Sequence, residues 1–208
     1  GAGNRVSRSE ETGVARRIWR SSPRKNWALG TVLMGGSLVL VREYTPQAFV
    51  QTLSDERITC TFGARIAYLA PLAVVGDLSG YDFSAIRLWA YGGGPLGAEM
   101  VRKLAHSYRN DRFIQVYGMT ETGPLGSVLY PEDAQAKAGS IGRIGTPGVV
   151  IERRQGDGSR CQPGQVGEIY LRSPGIMLGY LNDAEATAKA LDAHGWYASG
   201  DLARIDEE

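Results

Sequence analysis

The sequence contains little cysteine and little histidine, with two residues of each among its 208. Cys60 and Cys161 are far apart and fit no metal-ligand spacing, which predicts two reduced thiols in a cytoplasmic protein. His106 and His194 have no triad or metal spacing around them, so we interpret both as ordinary surface or packing residues. A cysteine- or histidine-ligated metal site and a Ser-His or Cys-His nucleophile are therefore not expected.

A strong charge of one sign and a long apolar run are also missing. The 23 Lys and Arg residues nearly balance the 22 Asp and Glu residues, which gives a net charge of +1. No general attraction to nucleic acid or anionic membrane follows from such a balance. The longer apolar stretches, such as Thr31–Val41, are too short and too interrupted by glycine to span a bilayer, and no signal-peptide pattern precedes them. The sequence predicts a soluble cytoplasmic protein without a transmembrane segment.

Residues 1–26 are polar and rich in arginine, without a sustained apolar period. The basic residues of this segment include Arg5, Arg8, Arg16, Arg17, Arg20, Arg24 and Lys25. A nucleic-acid-binding arm is one interpretation, but a solvated tail or the incomplete edge of a domain is favoured because the overall charge is near neutral. The segment is left unassigned, and no nucleic-acid partner is expected.

From Trp27 onward, apolar runs alternate with helical patterns, as in a layered α/β domain. The predicted strands are 37–41, 58–62, 86–91 and 113–117, and predicted helices include 64–75 and 96–108. This order predicts a mostly parallel sheet with flanking helices and right-handed crossovers. Two strands would end at Tyr91 and Tyr117, on the carboxyl edge where open α/β sheets bind ligands.

One helix start is marked by its cap. Thr45 is a suitable N-cap, and Pro46 suits the first helical position, where its missing N–H has no cost. The apolar face of this helix is formed by Phe49, Val50 and Leu53. We therefore expect a helix that begins at Pro46 and packs on the sheet.

Helical signals weaken after Thr146-Pro147-Gly148. Predicted strands at 149–153 and 166–172, joined through a Gly-Asp-Gly turn, indicate a smaller β-rich subdomain with the form of a distorted barrel. A short helix should follow, with Asn182 as its N-cap and Glu185 at its third position. The expected organisation is an unassigned basic segment 1–26, an α/β subdomain 27–148 and a β-rich subdomain 149–208.

A Gly-rich turn, Gly92-Gly93-Gly94-Pro95-Leu96, follows a predicted strand and opens a predicted helix. Glycines allow the backbone to approach a ligand closely, and the N–H groups at the start of the helix can face that ligand. A purely structural turn is an equally good interpretation, because Gly-rich strand-to-helix turns are common.

The run Tyr117-Gly118-Met119-Thr120-Glu121-Thr122-Gly123 places an aromatic ring, a hydroxyl and a carboxylate at the end of a predicted strand. The ring can stack on a base and the Thr120 hydroxyl can bind phosphate or carboxylate oxygens, while Glu121 can ligate Mg²⁺, a hard cation that prefers oxygen. The alternative is the capped start of a helix, with Thr120 as the cap and Glu121 favoured by the helix dipole.

Asp201 lies in the run GWYASGDL at 195–202. A carboxylate in such a position can accept two hydrogen bonds from the hydroxyls of a ribose. An ordinary exposed aspartate in a turn is the alternative.

Five segments follow one another along the chain: Gly92 to Leu96, QVYGMTETGP (115–124), GSIGRIGTPG (139–148), GEIYLRSPGIMLGY (167–180) and GWYASGDL (195–202). In this order and with this spacing they resemble the adenylate-forming superfamily, which includes acyl-CoA synthetases, luciferases and the adenylation domains of peptide synthetases. The resemblance covers residues 27–208. The chain is most like part of the N-terminal domain of a bacterial-type fatty-acid or acyl-CoA synthetase.

The resemblance implies which residues surround the nucleotide base. It makes Gly92, Gly93 and Gly94 neighbours of the adenine and of the substrate carboxyl. It also makes Tyr117 the ring that stacks on adenine, and it places Gly118 in the same nucleotide site.

The remaining implied roles concern the phosphates, the ribose and the acid. Thr120 would contact the α-phosphate and Glu121 would ligate Mg²⁺, so these two are the expected catalytic residues. Asp201 would bind the ribose hydroxyls. Tyr91 and Met119 would line the acid pocket.

The implied reaction joins a small carboxylic acid to coenzyme A at the expense of ATP, through an acyl-AMP intermediate and with Mg²⁺ as cofactor. An upstream phosphate loop ending in Lys is not matched in residues 1–26, and the family's mobile C-terminal domain would begin after Glu208. The 208 residues alone are therefore expected to be inactive.

Two other functions stay open. A peptide-synthetase adenylation domain is less favoured because that branch usually has Pro where Met119 stands. A non-catalytic nucleotide-binding module is also compatible with the missing parts. The acid is not identified, and a homodimer is left open.

Overall fold

The computed structural model describes residues 12–16, 22–41, 43–123, 125–142 and 144–206. The chain forms two compact units, one made of Gly1–Tyr117 and Val128–Arg143, the other of Gly118–Ser127 and Ile144–Glu208. Within the described ranges, no helix has the length and hydrophobicity that a membrane span requires.

The first unit is built on a parallel sheet. Its strands are β1 (Thr12–Arg16), β2 (Ser37–Val41), β3 (Cys60–Ala64), β4 (Leu88–Gly92) and β5 (Phe113–Tyr117). They pair in parallel in the order β2-β1-β3-β4-β5, and β6 (Ser127–Leu129) follows β5. The helices are α1 (Ser22–Leu33), α2 (Pro46–Asp55), α3 (Arg65–Val74) and α4 (Ala98–Tyr108). Because parallel neighbours need crossover connections, this element order confirms the predicted layered α/β fold.

Strand β1 and the start of α1 lie in the basic segment that the sequence pattern left unassigned. β1 lies between β2 and β3 and pairs with both, with Gly13 opposite Cys60 and Val14 opposite Thr61. A short strand obtains its backbone hydrogen bonds from its neighbours, so a strand without a clear apolar period is hard to recognise from sequence. For residues 12–16, the interpretation as a solvated tail is wrong.

Aromatic rings form the core of the first unit. Trp89, Tyr68 and Tyr108 are fully buried, and Phe113 is nearly so. The Trp89 ring stacks on that of Phe113 at 5.2 Å and lies 4.7 Å from that of Tyr108. The Tyr68 hydroxyl donates to the Ala90 carbonyl at 2.8 Å, and the Tyr108 hydroxyl donates to the Tyr68 carbonyl at 2.9 Å. Buried phenols are satisfied in this way, so the rings can pack without an energetic penalty for their polar ends.

Helix α2 begins as its sequence predicts. The Thr45 hydroxyl accepts a hydrogen bond from the Ala48 N–H at 3.1 Å, and Pro46 occupies the first position of the helix. The buried residues of the helix are Phe49, Val50 and Leu53. The predicted cap and apolar face are both confirmed.

The second unit contains an antiparallel sheet of three strands, β8 (Val150–Arg154), β9 (Gly167–Arg172) and β10 (Tyr197–Ala203), in the order β10-β9-β8. This unit also contains β7 (Ile144–Gly145), α5 (Ala184–Ala190) and a 3₁₀ turn at Thr120–Thr122. Among the described residues this sheet is open, so the expected β-rich subdomain is present but its expected barrel form is not.

Helix α5 does not use the predicted cap. Asp183 is its N-cap, and the Asp183 carboxylate accepts from the Ala186 N–H at 2.8 Å. Asn182 instead has a φ of 56°, a left-handed conformation that asparagine tolerates better than most residues. Asparagine and aspartate are both good N-caps. The backbone before α5 places Asp183 at the cap position and Asn182 one residue earlier.

A charged and aromatic cluster around Arg154 of β8 includes Tyr170 of β9 and Trp196, the residue before β10. The Arg154 guanidinium lies 2.7 Å from a Glu152 oxygen and 2.9 Å from an Asp192 oxygen. The same group lies over the rings of Tyr170, at 4.3 Å, and Trp196, at 4.9 Å. Arginine suits this position because its planar cation can stack on aromatic rings and at the same time donate hydrogen bonds to carboxylates.

Candidate active site

In the first unit, the carboxyl ends of neighbouring parallel strands lie at one edge of the sheet. Gly92 of β4 is opposite Ala64 of β3, and Tyr91 is opposite Gln115 of β5. The Tyr91 side chain is buried, and its hydroxyl donates to the Gln115 side-chain oxygen at 3.3 Å. Burial raises the pKa of Tyr91 to about 12. Tyr91 is therefore a neutral phenol whose hydrogen bond to Gln115 links β4 to β5 near the carboxyl ends of the strands.

At the end of β4 and directly after it, the backbone has a conformation and close contacts that require glycine. A Cβ on Gly92 would lie 3.3 Å from the Val116 carbonyl oxygen, and Gly93 has a φ of +81°. Gly94 has a φ of +128°, and a Cβ there would lie 3.2 Å from a terminal nitrogen of Arg65. This geometry supports the structural interpretation of the turn, because a side chain at any of the three positions would crowd a neighbour or strain the backbone.

Arg65 was not singled out from the sequence. It is the first residue of α3, it is exposed, and its guanidinium donates to the Pro95 carbonyl at 3.0 Å. This contact joins the end of β3 to the Gly-rich turn after β4. A basic residue near the start of a predicted helix was the signal, but its neighbour is 30 positions away in sequence.

Tyr117 is the last residue of β5 and is half-buried. Since β4 and β5 are parallel neighbours, Tyr117 lies at the same sheet edge as the turn Gly92–Gly94. Within the first unit, the structure thus brings the predicted ring and the predicted glycines to one edge.

In the second unit, the residues after Tyr117 form a tight turn. Met119 precedes the 3₁₀ turn, and the buried Thr122 holds it, because the Thr122 hydroxyl accepts from the Met119 N–H at 3.2 Å and donates to the Met119 carbonyl at 3.0 Å. The alternative that Thr120 caps a helix is wrong, since no α-helix follows and the bonding hydroxyl is that of Thr122. Gly118 and Thr120 are exposed, and Met119 and Glu121 are half-buried.

The segment Gly175–Tyr180 packs against this turn within the second unit. Met177 donates its N–H to the Glu121 carbonyl at 2.8 Å, and the Tyr180 hydroxyl donates to Glu121 Oε1 at 3.1 Å. Gly123 has a φ of +72°, and a Cβ there would lie 2.7 Å from the Gly175 carbonyl oxygen. Sequence analysis placed Tyr180 in a motif but gave it no role.

Asp201 lies on β10, where the pairing with β9 is irregular between Ala198 and Leu202. Gly200 has a φ of +75° and donates its N–H to a Glu168 carboxylate oxygen at 2.8 Å. Asp201 is exposed, and its N–H donates to the Ser199 hydroxyl at 3.1 Å. The run is therefore a bulged strand instead of a simple turn, and the bulge re-aims the residues within it.

No group of three or more His, Cys, Asp or Glu side chains in the described part of the chain could hold a metal ion by itself. This does not conflict with Glu121 as a ligand, because Mg²⁺ usually keeps several waters and binds one or two carboxylates together with substrate phosphates. The Tyr180 hydroxyl bonds Glu121 Oε1, and a carboxylate that accepts one hydrogen bond keeps lone pairs with which it can bind such a cation.

Comparison with known proteins identifies the family. The family model described as AMP-binding enzyme matches residues 24–181. The chain belongs to this family. Feruloyl-CoA synthase from Amycolatopsis sp is 35% identical to this chain over 180 residues, which are 86% of the chain and 35% of that relative. The medium-chain fatty-acid–CoA ligase of Escherichia coli (strain K12) is 33% identical over 175 residues, 84% of this chain and 30% of that relative.

A solved structure shares the fold. O-succinylbenzoate coenzyme A synthetase from Bacillus subtilis, in complex with ATP and magnesium ion, superposes with a TM-score of 0.83 at 22% identity, over 98% of this chain and 41% of that one. The family match and the curated relatives confirm the resemblance to the adenylate-forming superfamily. The chain spans about a third of the length of the curated relatives that it matches.

Proposed function

We propose that this chain is the nucleotide-binding part of an ATP-dependent acyl-CoA synthetase. In that reaction a carboxylate oxygen attacks the α-phosphorus of ATP, the bond to pyrophosphate breaks, and acyl-AMP forms. The sulfur of coenzyme A then attacks the acyl carbon, and AMP leaves. The observation that supports the proposal best is the turn Thr120–Thr122, which holds a carboxylate and an exposed threonine in a fixed backbone.

The first unit would bind the base. The half-buried Tyr117 stacks on adenine, and stacking is effective here because a ring fixed at a strand end loses little freedom on binding. Gly92, Gly93 and Gly94 bring the backbone of the neighbouring strand close to the adenine and to the substrate carboxyl. Support for these roles comes from the shared edge of β4 and β5.

The second unit would bind the phosphates and the ribose. Thr120 would donate its hydroxyl to an oxygen of the α-phosphate, and the Glu121 carboxylate would hold Mg²⁺. When bound, Mg²⁺ neutralises charge that develops on the phosphoryl oxygens. The exposed Asp201 carboxylate accepts from the ribose hydroxyls, and Ser199 fixes the backbone of Asp201. Gly118 leaves room for the nucleotide beside Met119.

For the acid we propose two residues separately, the buried Tyr91 of the first unit and Met119 of the second. The names of the relatives refer to an aromatic acid and to a medium-chain fatty acid. We propose a small aryl or fatty acid as the substrate, coenzyme A as the acceptor, and a cytoplasmic location. The α/β subdomain 27–148 and the β-rich subdomain 149–208 remain our proposed division of the chain, and a homodimer remains a proposal.

The test uses the 208-residue chain with ATP, Mg²⁺, coenzyme A and either a hydroxycinnamic or a medium-chain fatty acid. We expect weak binding of AMP or ATP by calorimetry and no measurable thioester, because phosphoryl chemistry depends on holding all three phosphates and the matching phosphate loop is not among these residues. Thioester formation at about one per second or faster would contradict the expected inactivity.

Three other results would change the assignment. The absence of any nucleotide binding would contradict the site itself. Pyrophosphate release that depends on an amino acid instead of these acids would favour a peptide-synthetase adenylation domain. If joining this chain to the phosphate loop and C-terminal domain of a relative gave binding but no pyrophosphate release, the result would favour a non-catalytic nucleotide-binding module.

A further inference from the structure

Glu121 is tied to the segment Gly175–Tyr180 by its backbone and by its side chain. The Glu121 carbonyl accepts from the Met177 N–H at 2.8 Å, while its carboxylate accepts from the Tyr180 hydroxyl at 3.1 Å. The two hydrogen bonds constrain both ends of one residue. A half-exposed glutamate would otherwise sample several rotamers, and ordering it on ligand binding would cost free energy.

The backbone of Tyr180 is itself held by a hydrogen bond to α5. Its N–H donates to the Thr187 hydroxyl at 2.9 Å, and that hydroxyl donates to the Asp183 carbonyl at 2.7 Å, at the N-terminus of α5. The preceding Gly179 has a φ of +154°, and a Cβ there would lie 2.9 Å from a Thr187 methyl group. The backbone of Tyr180 therefore has a defined position relative to α5, and its phenol can hold Glu121 in turn.

We propose that Tyr180 is a positioning residue that holds the Glu121 carboxylate ready to bind a divalent cation together with a nucleotide phosphate. This inference rests on the proposed function. Within the described part of the chain, the Tyr180 hydroxyl is the one partner of that carboxylate, and no Lys or Arg pairs with it. A neutral phenol orients the carboxylate without cancelling the negative charge that attracts the cation, whereas an ion pair would compete with the cation.

The experiment compares Tyr180→Phe with the unsubstituted chain in two calorimetric titrations, ATP with excess Mg²⁺ and ATP with EDTA. Loss of the hydroxyl should weaken binding of Mg²⁺-ATP about threefold to tenfold, because one hydrogen bond to a charged group no longer orders the carboxylate. Binding of metal-free ATP should stay unchanged. Tyr130→Phe is the matched control, since Tyr130 is an exposed tyrosine of the first unit, and it should change neither titration.

A double-mutant cycle separates positioning from a general structural effect. Glu121→Gln should weaken Mg²⁺-ATP binding, and adding Tyr180→Phe to it should cause little further loss, because residues that act through one group are not additive. Equal losses in both backgrounds, or equal losses with and without Mg²⁺, would overturn the inference and indicate a merely structural role.

The proposed function and the inference fail in different ways. If the unsubstituted chain binds ATP and Glu121→Gln shifts its Mg²⁺ requirement, but Tyr180→Phe titrates like the unsubstituted chain, only the inference is overturned. If the unsubstituted chain binds no ATP at all, the proposed function is overturned and the inference with it.

Discussion

The two units hold their candidate binding residues by different means. In the first unit, a core of packed aromatic rings leaves a glycine turn and one tyrosine ring at the sheet edge. In the second unit, carboxylates and hydroxyls are held by hydrogen bonds between short segments. Packing of rings is insensitive to pH, whereas networks of charged groups are not. We therefore expect the first unit to respond most to volume changes and the second to respond to changes of charge.

The largest effect should follow from Trp89→Ala in the first unit. Trp89 is fully buried among the rings of Tyr68, Phe83, Tyr108 and Phe113, so its truncation should lower the free energy of unfolding by about 3–5 kcal/mol in urea. Trp89→Phe is the control, and it should cost less than about 1.5 kcal/mol. In the described residues the Trp89 indole N–H has no acceptor, so the control loses no hydrogen bond. Similar losses for both variants would contradict the packing argument.

Asp201→Ala tests the role of a charged residue in the second unit. If the carboxylate binds a ribose through two charge-assisted hydrogen bonds, its loss should weaken AMP binding by about 1.5–3 kcal/mol for each bond in calorimetry. The fold should be unaffected because Asp201 is exposed on β10. Unchanged AMP binding at an equal folded fraction would rule out the ribose role.

A smaller effect is expected when the ring at the edge of the first unit is changed. Tyr117→Ala should weaken adenine binding by about 1–3 kcal/mol, whereas Tyr117→Phe should retain most of it because the ring provides the stacking. Both variants are titrated with AMP and with ribose 5-phosphate. A loss of ribose 5-phosphate binding equal to that of AMP binding would show that Tyr117 does not act through the base.

The smallest effect concerns the Arg154 cluster of the second unit. Desolvation opposes ionisation of Asp192, but hydrogen bonds from the Trp196 N–H and the Arg154 guanidinium hold its pKa below the ordinary value. A lowered pKa contributes stability above about pH 4, and this contribution is lost as the pH falls through the folded-state value. Asp192→Asn should therefore cost about 1 kcal/mol at pH 7 and less at pH 3.

The exposed pair of Lys189 and Glu185 on α5 is the matched control for this cluster. Its side chains are 75% and 81% exposed, so Glu185→Gln should change the free energy of unfolding by less than about 0.5 kcal/mol at either pH. Urea denaturation of both variants at the two pH values checks the difference. A pH-independent cost of Asp192→Asn would contradict an electrostatic role for the cluster.

The sequence by itself was sufficient wherever the deciding contacts are local. The cap and apolar face of α2 depend on residues within two turns of one another, and the turns after β4 and β5 follow from strand-to-loop patterns that occupy a few positions. The boundaries of the predicted strands are less accurate. The strand predicted to start at residue 58 begins at Cys60, because the Ile58 N–H donates to the Leu53 carbonyl at the end of α2. The order of the motifs was also enough to predict the family.

Only the tertiary structure decided which distant residues meet. Tyr180 bonds Glu121 across 59 positions, and Arg65 reaches the Gly-rich turn across 30. β1 has no apolar pattern of its own and is a strand because β2 and β3 lie on either side of it. Such contacts follow from sheet order and from the path of turns, which no short stretch of sequence encodes, because a hydrogen bond depends on the final position of both partners.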